Sequence, residues 1–226
     1  PASKYLFYSI QSLKEFIWYS EETDRFYKVE GYLNPYSDTI VPKISDAFVW
    51  DQKETGRKLI YGENTWNEAK AWVSDGNSFA LMGDGTNAFI YKFYVNNLEA
   101  KNCYRISSSV ATDVLSADFY AFSSTRSVLF YVKNNTLYAY NYDIGNERVD
   151  MIPLETTDEI TMLKFDLTME PMKDALYIAT YSAIEGGSLR KYYVGNNPDK
   201  VELKSDPKAV WKGLTKVKNM SWRALL

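Results

Sequence analysis

The 226-residue chain contains no histidine. That removes Ser-His-Asp and Cys-His catalysis, together with every metal site built on imidazole. A single cysteine, Cys103, excludes an internal disulfide. It lies in the strand-like run Asn102-Cys103-Tyr104-Arg105-Ile106 and is expected to be a small buried apolar residue. One neighbouring arginine is weak support for a thiolate. No apolar run approaches the ~18 residues of a transmembrane helix. Neither sign of charge dominates: 29 acidic and 26 basic residues leave −3, which marks neither a nucleic-acid binder nor a binder of anionic membranes. The 11 Gly and 7 Pro form no linker, so the chain reads as one domain, 1–226. It opens Pro1-Ala2-Ser3-Lys4, without Met and without a visible signal peptide. A mature chain, or part of a longer one, would begin this way, with any export or lipidation signal upstream.

What is present is aromatic and β-forming. Hydrophobic residues make up 46% and aromatics 16%, in short runs separated by Gly, Asn, Asp and Ser. Runs of four to eight residues rich in Tyr, Phe, Val and Ile read as strands. The expected strands are Glu15–Ser20, Asp24–Glu30, Ala47–Trp50, Lys58–Tyr61, Ala71–Ser74, Ser78–Met82, Ala88–Val95, Cys103–Ile106 and Asp118–Phe122. They continue with Ser127–Val132, Thr136–Tyr142, Val149–Pro153, Glu159–Phe165, Asp174–Tyr181, Ser188–Val194, Val201–Leu203, Ala209–Trp211 and Val217–Trp222. Lys133-Asn134-Asn135 predicts a tight hairpin, because Asn tolerates positive φ. Gly83-Asp84-Gly85-Thr86-Asn87 and Glu185-Gly186-Gly187 predict two more. The helical signal is slight: Glu63–Lys70 could hold one short helix with Asn64 as its N-cap.

Two stretches align. Asp118–Phe122, Ser127–Tyr131 and Asn135–Tyr140 match Thr161–Phe165, Asp174–Ile178 and Gly187–Tyr192. Phe122 falls on Phe165, Leu129 on Leu176 and Leu137 on Leu189. A weaker copy covers Ser78–Leu81 and Ala88–Phe93, with Phe89 on Leu137. A hairpin of Phe16–Tyr19 with Arg25–Lys28 opens the chain, and Val217–Trp222 begins a further copy. A period in the forties with about four strands per copy is the pattern of propeller blades. Val128, Phe130 and Val132 alternate with Leu129 and Tyr131, so both faces of that strand are apolar. A lone antiparallel sheet keeps one face polar, whereas a blade wedged between two others does not. The expectation is an all-β β-propeller of about five four-stranded blades, or the later blades of a larger propeller. A β-sandwich is the competing architecture.

The run from about Asp118 to Trp222 resembles the C-terminal part of the PKD-like lipoproteins of Bacteroidetes. The residues that carry the likeness are Ser127–Tyr131 followed by Asn135–Tyr140, then Glu159–Phe165, Leu176–Tyr181, Gly186-Gly187 and Lys216–Trp222. It spans under half the chain and rests on fold motifs, not catalytic ones. The chain lacks that family's lipidated cysteine and N-terminal modules. The resemblance implies a β-propeller region of an exported bacterial protein, anchored at the outer membrane or periplasmic. It implies no defined activity, and a place near polysaccharide-uptake machinery.

Without histidine, acid–base chemistry falls to carboxylates. Paired carboxyls ~5–9.5 Å apart at a channel mouth would make a glycosidase. Asp46, Asp51, Asp118, Glu159 and Asp174 are the candidates, though Asp at a strand end ordinarily caps a turn. Asp75-Gly76-Asn77 and Asp84-Gly85-Thr86-Asn87 offer oxygen ligands for calcium, but the EF-hand spacing is absent and turns explain them. Trp50, Asp51, Asn64, Trp66, Asn67 and Trp72 combine flat aromatics with amides and a carboxylate, the chemistry of sugar binding. A loop tryptophan that plugs a blade edge would read the same way. Lys208, Lys212, Lys216, Lys218 and Arg223 read as the outer face of an edge strand. The expected function is a non-catalytic binding module for a protein or glycan partner. The alternative is a carboxylate-dependent glycoside hydrolase or lyase. No cofactor and no nucleic-acid partner are expected.

Overall fold

The computed structural model describes residues 3–8, 15–20, 25–33, 40–47, 56–64, 77–94, 100–123, 126–165 and 175–220. Sixteen strands and one helix occur among them. They group into two compact units, Pro1–Leu115 and Ser116–Leu226.

The first unit holds β1 (Ser3–Tyr8), β2 (Glu15–Ser20), β3 (Arg25–Leu33) and β4 (Ile40–Ala47), paired in sequence order. Its second sheet is β5 (Lys58–Asn64), β6 (Asn77–Gly83), β7 (Ala88–Tyr94) and β8 (Ala100–Arg105). A helix, α1 (Ser108–Leu115), follows. The second unit holds β9 (Phe119–Phe122), β10 (Val128–Lys133), β11 (Thr136–Asn141) and β12 (Arg148–Ile152). Its other sheet is β13 (Glu159–Phe165), β14 (Ala175–Ser182), β15 (Gly186–Val194) and β16 (Leu203–Leu214). Every pairing is antiparallel. Between the two sheets of each unit the most extensive approach joins first strands, β1 to β5 and β9 to β13. Four four-stranded meanders are therefore seen where division by the repeat length predicts about five.

The internal repeat is a repeat of register. Leu129 stands opposite Phe122, and its counterpart Leu176 stands opposite Phe165. Leu137 faces Val132, three residues beyond Leu129, and Leu189 faces Ala179, three beyond Leu176. In the upstream copy Phe89 faces Met82 across the same hairpin. Hairpin loops fix this register. Asn134 and Asn135 occupy φ 49° and 57°, the two-residue turn expected of them, between Lys133 and Thr136.

Burial explains why the strands are apolar on both sides. Val128, Leu129, Phe130, Tyr131 and Val132 are all buried, and so are Phe79, Ala80, Leu81 and Met82 in the equivalent strand β6. One face of β10 joins the core between the two sheets of its unit. There Val128, Phe130 and Val132 meet Leu163, Phe165, Leu176 and Ile178, and the Phe130 and Phe165 rings stack at 6.5 Å. The other face carries Tyr131 stacked on Tyr138 at 5.2 Å. Burying each such side chain contributes roughly 1.5–3 kcal/mol.

Polar staples fix the two sheets of this unit on each other. Asn135, at the hairpin tip, accepts from Ile160 N at 2.7 Å and donates to Asp158 O at 3.1 Å and Thr157 O at 3.3 Å. Tyr192 donates its hydroxyl to Glu155 at 2.9 Å, and Arg190 pairs with the same carboxylate at 3.4 Å. Burial, reinforced by the bond to Glu155, pushes the Tyr192 phenol well above its ordinary range.

Several expectations need correction. Glu63 and Asn64 belong to β5, opposite Phe79 and Ser78, so Asn64 caps no helix; residues 65–70 lie outside the described ones. The described helix is α1, after Ser107-Ser108-Ser109. Ser107 O accepts from Val110 N and Ala111 N, and Ala111 and Val114 are buried. Strand β4 ends at Ala47 instead of beginning there, and its Pro42 is tolerated because β4 stands at the edge of its sheet among the described residues. The runs Val201–Leu203 and Ala209–Trp211 merge into β16. Between them Asp206–Ala209 bulges out opposite the single residue Lys191, with Asp206 Oδ1 accepting from Lys208 N. Lys208 and Lys212 are exposed on this edge strand, as expected. Residues 217–220 form no strand, 221–226 lie outside the described residues, and so does the expected strand 71–74. Cys103 is exposed instead of buried. Among the described residues no helix is long and apolar enough to cross a membrane.

Two predictions follow from the staples and from the bulge in β13. Asn134→Gly is expected to change stability by under about 1 kcal/mol, because Gly also accepts positive φ. Asn135→Gly keeps the turn but removes three hydrogen bonds, and should cost about 1–3 kcal/mol in chemical denaturation. Equal effects of the two substitutions would refute the staple. Thr161 is the extra residue of a bulge between Ile160 and Met162, and its buried hydroxyl has no hydrogen-bond partner. Thr161→Val should therefore stabilise the protein by about 1 kcal/mol, read as a rise in Tm of a few degrees.

Candidate functional site

A half-open cleft of about 480 Å³ among the described residues is lined by Arg126, Ser127, Val128, Asn141, Asp143, Asn146, Asn196 and Pro198. Three separate segments build it. Its floor is the start of β10 and the end of β11, where Asn141 and Val128 are buried. One wall is the β11–β12 turn. There Asn141 Oδ1 accepts from Asp143 N at 2.9 Å, Asn146 N donates to Asp143 O at 3.1 Å, and Gly145 takes φ 82°. Tyr140 closes that turn by donating to Glu147 at 2.6 Å.

The other wall is the β15–β16 loop, which the neighbouring sheet holds by its main chain. Arg126 donates Nη1 to Gly195 O at 3.0 Å and Nη2 to Asn197 O at 3.2 Å. Arg148 donates Nη2 to Pro198 O at 3.1 Å and Nε to Asp150 at 3.1 Å. Asp150 in turn accepts from Val201 N at 2.9 Å. Gly195 N bonds Glu202 O at 2.8 Å across the base of the loop. Bonds from charged donors are the stronger kind, about 1.5–3 kcal/mol each, so this wall is preformed.

The arrangement leaves the cleft with hydrogen-bonding side chains to spare. Ser127, Asp143, Asn146 and Asn196 have no protein partner for their side-chain groups among the described residues. Among the described residues Asp143 is the one carboxylate in the lining, and no aromatic lines it.

Of the residues singled out in the sequence, Trp50, Asp51, Trp66, Asn67 and Trp72 lie outside the described residues, as do Asp75 and Asp174. Asn64 ends β5 opposite Ser78, and Asp46 lies in β4. Asp118 is exposed ahead of β9, with its N–H on Val132 O at 2.8 Å. Glu159 is exposed and paired with Lys216 at 3.1 Å. Neither lines the cleft. The cleft residues escaped notice because Asn141, Asp143 and Asn146 read as turn formers. Exposed aromatic surface occurs elsewhere: Trp211, 45% exposed, lies beside Tyr177 at 6.5 Å.

The calcium reading of Asp84 gives way to the turn. Its Oδ1 accepts from Asn87 N at 2.7 Å and Thr86 N at 3.0 Å, and its Oδ2 from Asn87 Nδ2 at 3.0 Å. Among the described residues no three His, Cys, Asp or Glu side chains cluster as metal ligands. Although Cys103 as a residue is exposed, partial desolvation of its thiol raises the pKa and opposes thiolate formation.

The chain matches no protein-family model and no curated protein. Among solved structures it is similar to KlHsv2 with loop 6CD replaced by a Gly-Ser linker, at 12% identity and a TM-score of 0.43, over 91% of this chain and 70% of that one. It is also similar to the hemopexin fold protein CP4 from cow pea, at 11% identity and a TM-score of 0.32, over 92% of this chain and 91% of that one.

The hydrogen bonds of Asn87 and Thr86 hold the Asp84 carboxyl at a pKa of about 2, below its usual 3.8. A depressed carboxyl stabilises the fold fully above the unfolded value and loses that contribution as pH falls through the folded one. Carboxyl NMR titration should therefore give Asp84 a midpoint near 2. Calcium should leave that midpoint unmoved; a calcium-dependent shift would restore the metal reading.

Proposed function

We propose that the chain is a non-catalytic binding module, with the β10–β11–β15 cleft as its ligand site and a glycan as the favoured partner. The observation that carries this reading is the composition of the cleft: a preformed loop wall, three amide side chains, a hydroxyl, the Arg126 guanidinium and a single carboxylate. Hydrolysis of a glycosidic bond ordinarily takes two carboxyl groups facing each other across the scissile bond. Among the described residues Asp143 has no such companion in the lining. Binding a hydroxyl-rich ligand needs only convergent donors and acceptors on a rigid frame. Two-sided burial of β6 and β10, together with first strands that meet within each unit, supports reading the four meanders as blades of a small propeller. The likeness to PKD-like lipoproteins supports an exported bacterial protein. The alternative, a carboxylate-dependent hydrolase or lyase, would draw on Asp118 and Glu159 outside this cleft.

Isothermal titration against an oligosaccharide panel should reveal weak binding, with Kd in the micromolar to millimolar range. Asn146→Ala with Asn196→Ala should weaken it at least about tenfold, the loss of two or so hydrogen bonds. No reducing ends should be released from any bound glycan. Hydrolysis abolished by Asp118→Asn or Glu159→Gln would overturn the proposal in favour of the enzyme.

A further inference from the structure

We infer that β16 carries a second binding surface, away from the cleft: an exposed lysine strip beside Trp211 that takes an acidic polysaccharide chain, carboxylated or sulfated. The strip is read from its own residues; the choice of a glycan as its polyanion rests on the binding reading above. The whole-chain charge of −3 conceals a local excess of the opposite sign. Residues 203–220 hold five lysines and one aspartate, and all five lysines are exposed. The strands of this sheet carry two carboxylates, Glu159 and Asp206. Glu159 pairs with Lys216 at 3.1 Å, and Glu202, just ahead of β16, pairs with Lys200 at 3.5 Å. Asp206 accepts from Lys208 N at 2.9 Å and from the Tyr193 hydroxyl at 3.2 Å, and keeps its negative charge in the bulge. Among the described residues Lys204, Lys208, Lys212 and Lys218 have no carboxylate partner. Like charges along one edge repel one another, and an anionic chain relieves that repulsion.

Protection of a sheet edge does not account for the excess. Pro207 and the bulge already blunt β16. The fourth strand of the neighbouring sheet, β12, is an edge as well, yet it carries one arginine and one aspartate bonded to each other, with no net charge. The apolar part of the strip is Trp211, 45% exposed, with its ring 6.5 Å from that of Tyr177. Leu189, Lys191 and Tyr193 share one face of β15, and their partners extend that face onto β16: Trp211 opposite Leu189, Lys204 opposite Tyr193. A sugar ring can lay its C–H surface on the indole while its own or a neighbouring unit's carboxylate or sulfate meets an ammonium group. Strand β16 runs for 12 residues at roughly 3.3 Å each, long enough for several consecutive sugar units. Lysine is a point charge on a flexible stem, which suits a chain of repeated anions better than one fixed anion. The same lysines discourage strand addition, so an extended peptide is not the favoured occupant. Single-stranded nucleic acid is ordinarily held by a series of stacked aromatics, whereas Trp211 is the one exposed aromatic among the described residues of this sheet.

The experiment titrates the full chain with decagalacturonate, a heparin decasaccharide, maltodecaose, an oligothymidylate of similar length and phosphatidylglycerol vesicles. At least one of the two acidic glycans is expected to bind, and which one does so tells carboxylate from sulfate. Raising salt from about 50 to about 500 mM should weaken that binding at least about tenfold. Lys204→Gln with Lys208→Gln and Lys212→Gln should weaken it about tenfold or more and flatten its salt dependence. Trp211→Ala should weaken it about fivefold and leave the salt dependence as it was. Acidic-glycan binding that the lysine variant leaves unchanged, or that Asn146→Ala with Asn196→Ala abolishes instead, would overturn the strip while leaving the cleft standing. Tighter binding of the oligothymidylate or of the vesicles than of either acidic glycan would overturn the choice of partner. Binding by none of the charged probes would overturn the inference outright, whereas failure of maltodecaose alone counts against the cleft as a glycan site and not against the strip. Thermal melts of each variant confirm that a loss is not unfolding.

Discussion

The second strand of the repeated meander has no wet side, and the other features of the fold answer to that constraint. A strand such as Val128–Val132, buried at five consecutive positions, must be apolar at every one of them. It cannot offer a polar face to water as the exposed sheet of a two-layer sandwich would. Among the described residues the strands with exposed large apolar side chains are the fourth ones β12 and β16, as at Met151 and Trp211, beside the charges and proline that blunt an edge. Polarity is thereby driven to the strand ends. Within the second unit it appears there as Asn135, Glu155 and the cleft.

The same constraint made much of the fold readable. The alignment of Phe122 with Phe165 and of Leu129 with Leu176 needed only hydrophobic spacing, yet Phe122 and Leu129 prove to be cross-strand partners, and so do their counterparts Phe165 and Leu176. Register survives in sequence because short hairpins fix it, and Asn134-Asn135 is the clearest instance. Misreadings fell where a residue with a strong local preference was overruled by pairing. Pro42 hid β4, and Asp206-Pro207 split β16, although an edge strand tolerates both. No element was expected between Ile106 and Asp118, while the Ser107 carbonyl starts a helix there. Glu63 and Asn64 carried cap chemistry but remained in the ladder of β5.

The candidate site was less legible than the fold for a different reason. Its side chains come from three segments tens of residues apart, and Asn and Asp in loops serve turns far more often than ligands. Tryptophan seemed the stronger signal for sugar chemistry. Yet the cleft among the described residues has no aromatic wall and depends on amides. The arginines that shape it bind carbonyl oxygens, which every residue possesses, so no motif betrays them.

That indifference has a consequence for how this wall can vary. Arg126 and Arg148 grip Gly195, Asn197 and Pro198 by main-chain oxygen. Two side chains of the loop do carry structure: Asn197 Oδ1 accepts from Asp199 N, and Val201 is buried in the core. Asn196 has no such duty and can be exchanged for another group without moving the wall it stands on. The surface of the cleft can change there while the frame stays put.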